Sequence, residues 1–366
     1  MPWFWPFSVS PRLDWLQVEI STHCNATCMY CPRTLLANHW CNRLMSRKVF
    51  ARLLPILERT RLVYLQGWGE PFTHPDFFEF ARLAKAAGCQ VGTTTNGILL
   101  TEDICRQAIE TGIDVIGFSL AGIDGVNDRI RRGTSLARIR DTIATLNRLK
   151  AQRGVQRPAL HVAYLLLHSM LEDVEALPAF LASLGIDQAV VSTLDCIASR
   201  TLVEEAIQPA NQEEYASLRH RLEAMTAAGT TLGLPIHAWL TAPQKSAGTR
   251  PGDAVEENAP APTTIQPCTE NIQRSAFISA AGAVSPCVYA GLPLTGAVTH
   301  WIAGEETVYT PLVFGNITQQ SFAAIWNALP YRVFRKAHRM GQPPYPCRNC
   351  PRIRMHAVRN ASARLS

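Results

Sequence analysis

The sequence predicts an α/β fold, a partial (β/α)6 barrel of the TIM type with a small C-terminal α+β extension. Three observations carry this expectation. Short β-rich runs alternate strictly with amphipathic helical stretches from residue 16 to residue 193. Such alternation gives parallel strands joined by right-handed crossovers. The units number six, which suggests an open barrel short of the eight-stranded closed form. After residue 266 the alternation stops, and a cysteine-bearing region follows.

Taken in order, strands are expected at residues 16–20, 61–66, 90–95, 115–120, 159–166 and 188–193, with helices at 46–60, 75–88, 102–111, 135–153 and 171–185. Apolar residues in the helices recur every three or four positions, as in Val49, Leu53, Leu54 and Leu57. Gly88, Gly112 and Gly185 stand where C-terminal caps are wanted. A further helix covers about 212–229, and residues 245–266, rich in Pro, Ala, Gly and Thr, read as a linker or mobile loop. The expected organisation is an N-terminal apolar segment (1–15), a core domain (16–230), a linker (231–266) and a cysteine-bearing domain with its tail (267–366). The aromatic N-terminus, with Trp3, Phe4 and Trp5, is expected to dock on the core.

Composition excludes several classes. The 366 residues are 47 % hydrophobic and 17 % charged, an ordinary globular mixture. No apolar run is long enough to span a bilayer, and the N-terminus lacks the basic flank and cleavage site of a signal peptide. The net charge of +6 is mild, and the basic stretch 331–354 reads as a solvated face, so no nucleic-acid partner is expected. Of the eleven cysteines, seven fall into two groups with metal-ligand spacing. In a long chain without a secretion signal this points to metal–thiolate chemistry in the reducing cytoplasm.

The first group, Cys24, Cys28 and Cys31, has the spacing Cys-x3-Cys-x2-Cys just after the first strand. Three thiolates on one loop can each bind an iron of a cubane [4Fe–4S] cluster and leave the fourth iron open to a ligand. Zinc held by the three cysteines with His23 or His39 is the alternative. In parallel barrels the loops after the strands line the active face. Residues 67–71, Asn96 with Gly97, and 119–122 follow the second, third and fourth strands, so all converge on the rim that carries the cysteines.

This motif, with Tyr30 as its aromatic residue, resembles the radical S-adenosylmethionine (SAM) superfamily over about residues 16–193. The resemblance implies a [4Fe–4S] cluster whose open iron is chelated by SAM. One-electron reduction then yields a 5′-deoxyadenosyl radical that abstracts hydrogen from a substrate. It also implies that Trp68, Gly69, Glu70 and Pro71 stand for the family's Gly-Gly-Glu-Pro segment, which binds the SAM amino group. Trp68 replaces the first glycine, and its indole needs room. Asn96 and Ser119 resemble strand-end residues that approach the SAM ribose and carboxylate, and Arg132 resembles a basic residue facing that carboxylate. Glu70 as a structural cap, Asn96 as a turn residue and Arg132 as a solvated side chain are the competing readings.

The second group is Cys268, Gly282 and Cys287, spaced Cys-x13-Gly-x4-Cys, with a distant Cys-x2-Cys at Cys347 and Cys350. It resembles the SPASM and Twitch extensions of radical SAM enzymes, which hold auxiliary clusters. No cysteine follows Cys350, so one auxiliary [4Fe–4S] cluster is expected, bound by this quartet, with structural zinc as the rival. Cys89 and Cys105 read as core residues. Cys196, beside Asp195 on the predicted rim, reads as a small buried side chain or as a hydrogen donor or substrate contact. The resemblance implies an oxidoreductase acting on a small-molecule or peptide substrate and fed by a one-electron donor such as a flavodoxin or ferredoxin. A peptide- or protein-modifying maturase is an alternative, as is a zinc-stabilised binding protein without turnover. The sequence assigns no catalytic side chain.

Overall fold

The computed structural model describes residues 11–243, 268–302 and 304–358. The aromatic tip and the expected mobile loop at 245–266 lie outside the described residues. Seven parallel strands run in chain order through the sheet: β1 (Leu13–Val18), β2 (Thr60–Leu65), β3 (Gln90–Thr95), β4 (Val115–Leu120), β5 (Ala159–Leu166), β6 (Gln188–Thr193) and β7 (Ile236–Thr241). Four of the six expected strands form with their expected bounds. β1 starts three residues earlier, at Leu13. The seventh strand lies within the stretch read as linker. It is six residues long and flanked by Gly233, Pro235 and Pro243, so turn residues on both sides hide its apolar alternation.

Helices cover the convex side. The expected helix 46–60 forms as two short pieces, Arg47–Ala51 and Leu54–Leu57, because Pro55 removes a backbone donor in its middle. Helices Glu102–Thr111 and Leu136–Arg153 are capped by Thr101 and Ser135, whose hydroxyls accept from Ile104 and Arg138 N–H. Gly112, at φ +74°, ends the first of them in the left-handed region.

The C-terminal extension is built onto both edges of this open sheet. β8 (Ser275–Ile278) pairs parallel with β1, β9 (Ala283–Ser285) pairs with β8, and β12 (Gly315–Asn316) pairs with β9. At the far edge β13 (Met355–Val358) pairs antiparallel with β7. Between them β10 (Val298–Ile302) and β11 (Glu305–Tyr309) form a separate hairpin. The result is one eleven-stranded sheet.

Two features fix the inside of the barrel. The Tyr64 ring lies across β3 and β4, where Gly92 and Gly117 leave room for it, and its hydroxyl bonds Thr94 Oγ1 at 2.8 Å. Glu19, just past β1, is fully buried. Its Oε1 accepts from Trp68 N–H at 2.9 Å, while its Oε2 has no partner. Burial pushes its carboxyl from the ordinary 4.5 up to about 8.

Two outcomes follow. A methyl at Gly92 would stand 2.5 Å from the Tyr64 ring, so Gly92→Ala should cost about 1–3 kcal/mol, and Tyr64→Leu in the same chain should recover part of that loss in thermal unfolding. Between pH 4.5 and 8 the folded protein keeps a proton on Glu19 that the unfolded chain has released. Stability from this group is therefore full below that window and falls as pH rises through it. Glu19→Gln should remove that share of the slope, seen as a flatter profile of melting temperature against pH than wild type gives.

Candidate active site and cysteine centres

The loop after β1 carries Cys24, Cys28 and Cys31 to the C-terminal ends of the strands, where all three line a cavity of about 270 Å³. Backbone bonds hold the loop in place. Thr27 and Met29 donate to the carbonyls of Arg132 and Ile130 at 2.8 and 2.9 Å, which brings residue 131 against the cysteines. The Cys24 sulfur accepts from Ala26 N–H at 3.4 Å and from Asn96 Nδ2 at 3.8 Å. Burial raises the Cys24 thiol, and with Cys28 close by it pushes Cys31 up to about 12. Crowded buried thiols of this kind ionise together only when a cation compensates them, as iron does. The donor set therefore fits an iron–sulfur group open on the cavity side. Among the described residues no three His, Cys, Asp or Glu side chains converge on the position of a single metal ion.

Tyr30, Trp68, Gly69, Glu70, Asn96 and Ser119 all line the same cavity. Their local roles differ. The Glu70 carboxylate accepts from Phe72 N–H, Thr95 Oγ1 and Asn96 N–H at 3.2, 2.8 and 2.8 Å. It therefore ties the loop after β2 to the end of β3, as a cap would. At Gly69 a side chain would stand 2.3 Å from the Ser21 carbonyl, so only glycine lets this loop lie against the cysteine loop. The indole of Trp68 finds its room across the domain junction, where Nε1 donates to the Val288 carbonyl at 3.1 Å.

Arg132 is placed elsewhere. It is exposed and lines a neighbouring groove with Met29 and Arg129. Arg131 takes the inward position, because consecutive residues leaving the helix Gly125–Ile130 face opposite ways. It is 5 % exposed, lines the cavity and donates to the Tyr30 hydroxyl, and its Nε has no partner. Sequence reading also missed Gln17, Thr94 and Ser192. Each is the penultimate residue of its strand, as Ser119 is, and each lines the cavity. A polar residue recurring one place from the end of apolar parallel strands was the available signal.

Cys268, Cys287, Cys347 and Cys350 gather in the extension. Cys287, Cys347 and Cys350 line a second, small cavity of about 70 Å³. Burial raises the Cys287 thiol well above its ordinary range, and Glu270 with the other three thiols adds to the rise. Asp195, Cys196 and Tyr289 stand in the walls of both cavities. Behind them Arg352 lies 2.8 Å from the Asp195 carboxylate and 3.5 Å from Glu270, and donates to the Tyr289 hydroxyl. Burial pushes the Cys196 thiol up to about 12. Cys89 and Cys105 are buried in the core.

Residues 18–177 match the Radical SAM superfamily, and residues 268–351 match SPASM, an iron–sulfur cluster-binding domain. A cofactor-modifying protein for tungsten-containing aldehyde ferredoxin oxidoreductase from Pyrococcus furiosus is 24 % identical over 332 residues, covering 88 % of this chain and 83 % of its own. An AdoMet-dependent heme synthase from Methanosarcina barkeri is 30 % identical over 118 residues, and a mycofactocin maturase from Mycobacterium tuberculosis 30 % over 115. These two matches cover 32 % and 31 % of this chain and 32 % and 29 % of the relatives. Among solved structures, Streptococcus suis SuiB bound to S-adenosylmethionine superposes with a TM-score of 0.63 at 18 % identity, covering 89 % of this chain and 68 % of that one. Native anSMEcpe with bound AdoMet gives 0.61 at 14 %, covering 92 % of this chain and 88 % of that one. The chain belongs to the radical SAM superfamily and carries a SPASM domain, which together imply SAM, its [4Fe–4S] cluster and further iron–sulfur binding.

The Asp195–Arg352 pair gives a stability test. Arg352→Met leaves the Asp195 and Glu270 carboxylates without their buried cation, and should cost about 3–5 kcal/mol in anaerobic denaturant unfolding. Asp195→Asn added to it should recover part of the loss.

Proposed function

We propose that this radical SAM enzyme cleaves SAM at a [4Fe–4S] cluster held by Cys24, Cys28 and Cys31. A single auxiliary [4Fe–4S] cluster, held by Cys268, Cys287, Cys347 and Cys350, exchanges an electron with the substrate. One observation carries the reading: Asp195, Cys196 and Tyr289 are shared by the two cavities. A substrate lodged beside SAM against that wall is one side chain away from the auxiliary cysteines.

Together the cluster and SAM supply, when bound, one-electron cleavage to methionine and a 5′-deoxyadenosyl radical that takes a hydrogen atom from the substrate. The chain's own residues orient and shield. The Arg131 guanidinium, which lines the cavity, faces the SAM carboxylate in place of Arg132, and the Tyr30 hydroxyl holds it. The main chain at Trp68 and Gly69 receives the amino group, with Glu70 as a positioning residue beneath it. Asn96 and Ser119 approach the ribose. The Ala26 N–H and the Asn96 amide lie against the Cys24 sulfur and tune the cluster's potential.

Loss of a second electron from the substrate towards the quartet, with release of a proton, makes the net reaction a two-electron oxidation of a small molecule or a docked substrate. A peptide- or cofactor-modifying reaction is the second reading. It is favoured by the 24 % identity, over most of the chain, to the Pyrococcus furiosus cofactor-modifying protein. A flavodoxin or ferredoxin supplies the first electron. None of the eleven cysteines is in a disulfide, and no described helix is long and apolar enough to cross a membrane. A reducing cytoplasmic setting agrees with both.

Anaerobic reconstitution should give about eight irons per chain, as two cubane clusters require, with an electron paramagnetic resonance signal that SAM perturbs. Cys28→Ala should abolish formation of 5′-deoxyadenosine, and Cys350→Ala should remove the SAM-insensitive signal alone. Zinc at both sites with no SAM cleavage on reduction would establish the non-catalytic alternative instead.

A further inference from the structure

Glu306 is the last acidic residue of the chain. The sixty residues after it hold nine Lys and Arg and no Asp or Glu. The structure sorts these cations by face on the helix Leu329–Arg339. Its inner side is aromatic and buried: Tyr331 stacks on Phe314 at 4.1 Å between ring centres, and Arg335 bonds the Trp326 carbonyl at 2.8 Å. Its outer side carries Arg332, Lys336 and Arg339, all exposed, interleaved with Leu329, Val333 and, one residue past the helix, Met340. These three apolar side chains are 70 %, 55 % and 56 % exposed. The positions 329, 332, 333, 336, 339 and 340 follow helical spacing and form one stripe.

Two further facts separate this stripe from an ordinary solvated face. Among the described residues, Arg332, Lys336 and Arg339 have no side-chain hydrogen bond or ion pair. Arg335 beneath them is lowered from its usual range, first by burial and then by repulsion from Arg339 and Arg332. Positive charge is thus concentrated here and left uncompensated, around apolar side chains that water does not favour. Such a surface suits a protein partner that is acidic with an apolar centre.

Position identifies the kind of partner. The inner face of this helix reaches the cysteine quartet. Tyr331 belongs to the buried cluster against which Cys268, Cys287 and Cys347 pack, and Gln273, from the Cys268 segment, bonds the Arg335 carbonyl at 2.8 Å. A helix with its side chains is about 10 Å thick, so a redox group docked on the stripe stands one helix away from the auxiliary cysteines.

We infer that the exposed stripe of Arg332, Val333, Lys336, Arg339 and Met340 is the docking surface for a small acidic one-electron carrier protein. The carrier gives one electron on the quartet side for each SAM cleaved, and takes back there the electron that the substrate releases towards the quartet. The inference rests on the proposed function, and the test below separates the two.

Full-length reconstituted enzyme is titrated with reduced bacterial flavodoxin in a surface plasmon resonance assay, at low and at high salt. In parallel, 5′-deoxyadenosine is measured with flavodoxin and with dithionite as reductant. The charge-reversed variant R332E/K336E/R339E should bind flavodoxin roughly tenfold or more weakly at low salt, with a flattened salt dependence. Its flavodoxin-driven rate should fall in step while its dithionite-driven rate is kept. The neutral variant R332Q/K336Q/R339Q should be intermediate, and Arg138→Glu, on the exposed side of the helix between β4 and β5, should bind as wild type does. Unchanged flavodoxin affinity in both triple variants would overturn the docking surface, as would equal loss of rate with both reductants at normal affinity. Failure of dithionite to yield 5′-deoxyadenosine from wild type would instead defeat the proposed function, while the binding comparison would still decide the surface.

Discussion

A seven-stranded parallel sheet that stops short of closure leaves a row of backbone N–H and C=O groups along β1 and another along β7. Buried without partners, each such group would cost about 1–3 kcal/mol. Exposed, they would template association with other chains. The C-terminal extension occupies both rows: β8 pairs with β1 and β13 with β7. The extension is thereby fastened near its start to one edge of the barrel and, just past the SPASM match, to the other. The segments between have to cross the mouth, and they carry the second cysteine set with them.

The geometry of the site follows from that double attachment. Cys287 comes two residues after β9 and Cys350 five residues before β13, so both are set by strand pairing with the barrel. Tyr289 closes over the first cavity because Trp68 reaches across to the Val288 carbonyl. The substitution of tryptophan for glycine at 68 is thus a joint between the two domains. Glu19 belongs to the same joint. Its carboxyl oxygen receives the Trp68 N–H, and its own N–H donates to the Ile278 carbonyl of β8 at 2.8 Å.

Electrostatics divide the labour between the cavities. Each holds a buried guanidinium beside thiols, Arg131 in the first and Arg352 in the second. Arg131 lines the first cavity, bonds Tyr30 and has no carboxylate partner among the described residues. Arg352 is occupied by Asp195, Glu270 and Tyr289, which makes it a strut for the wall between the centres. The fold thus supplies one buried cation without a carboxylate partner and one committed to structure.

The sequence by itself determined the barrel, because strand–helix alternation and helical apolar spacing are local patterns that survive without tertiary context. It also determined which rim carries the site, because Cys24, Cys28, Cys31, Gly69, Asn96 and Ser119 sit in phase with the strand ends. Tertiary structure decided what depends on facing and on long-range pairing. Whether Arg131 or Arg132 points inward turns on a single step of backbone rotation after a short helix, which no residue type reveals. The strand β7 and its partner β13 stabilise each other from 114 residues apart (241 to 355), so neither declares itself alone. That Cys196, far in sequence from both cysteine sets, stands between them is a consequence of closing both sheet edges with one extension.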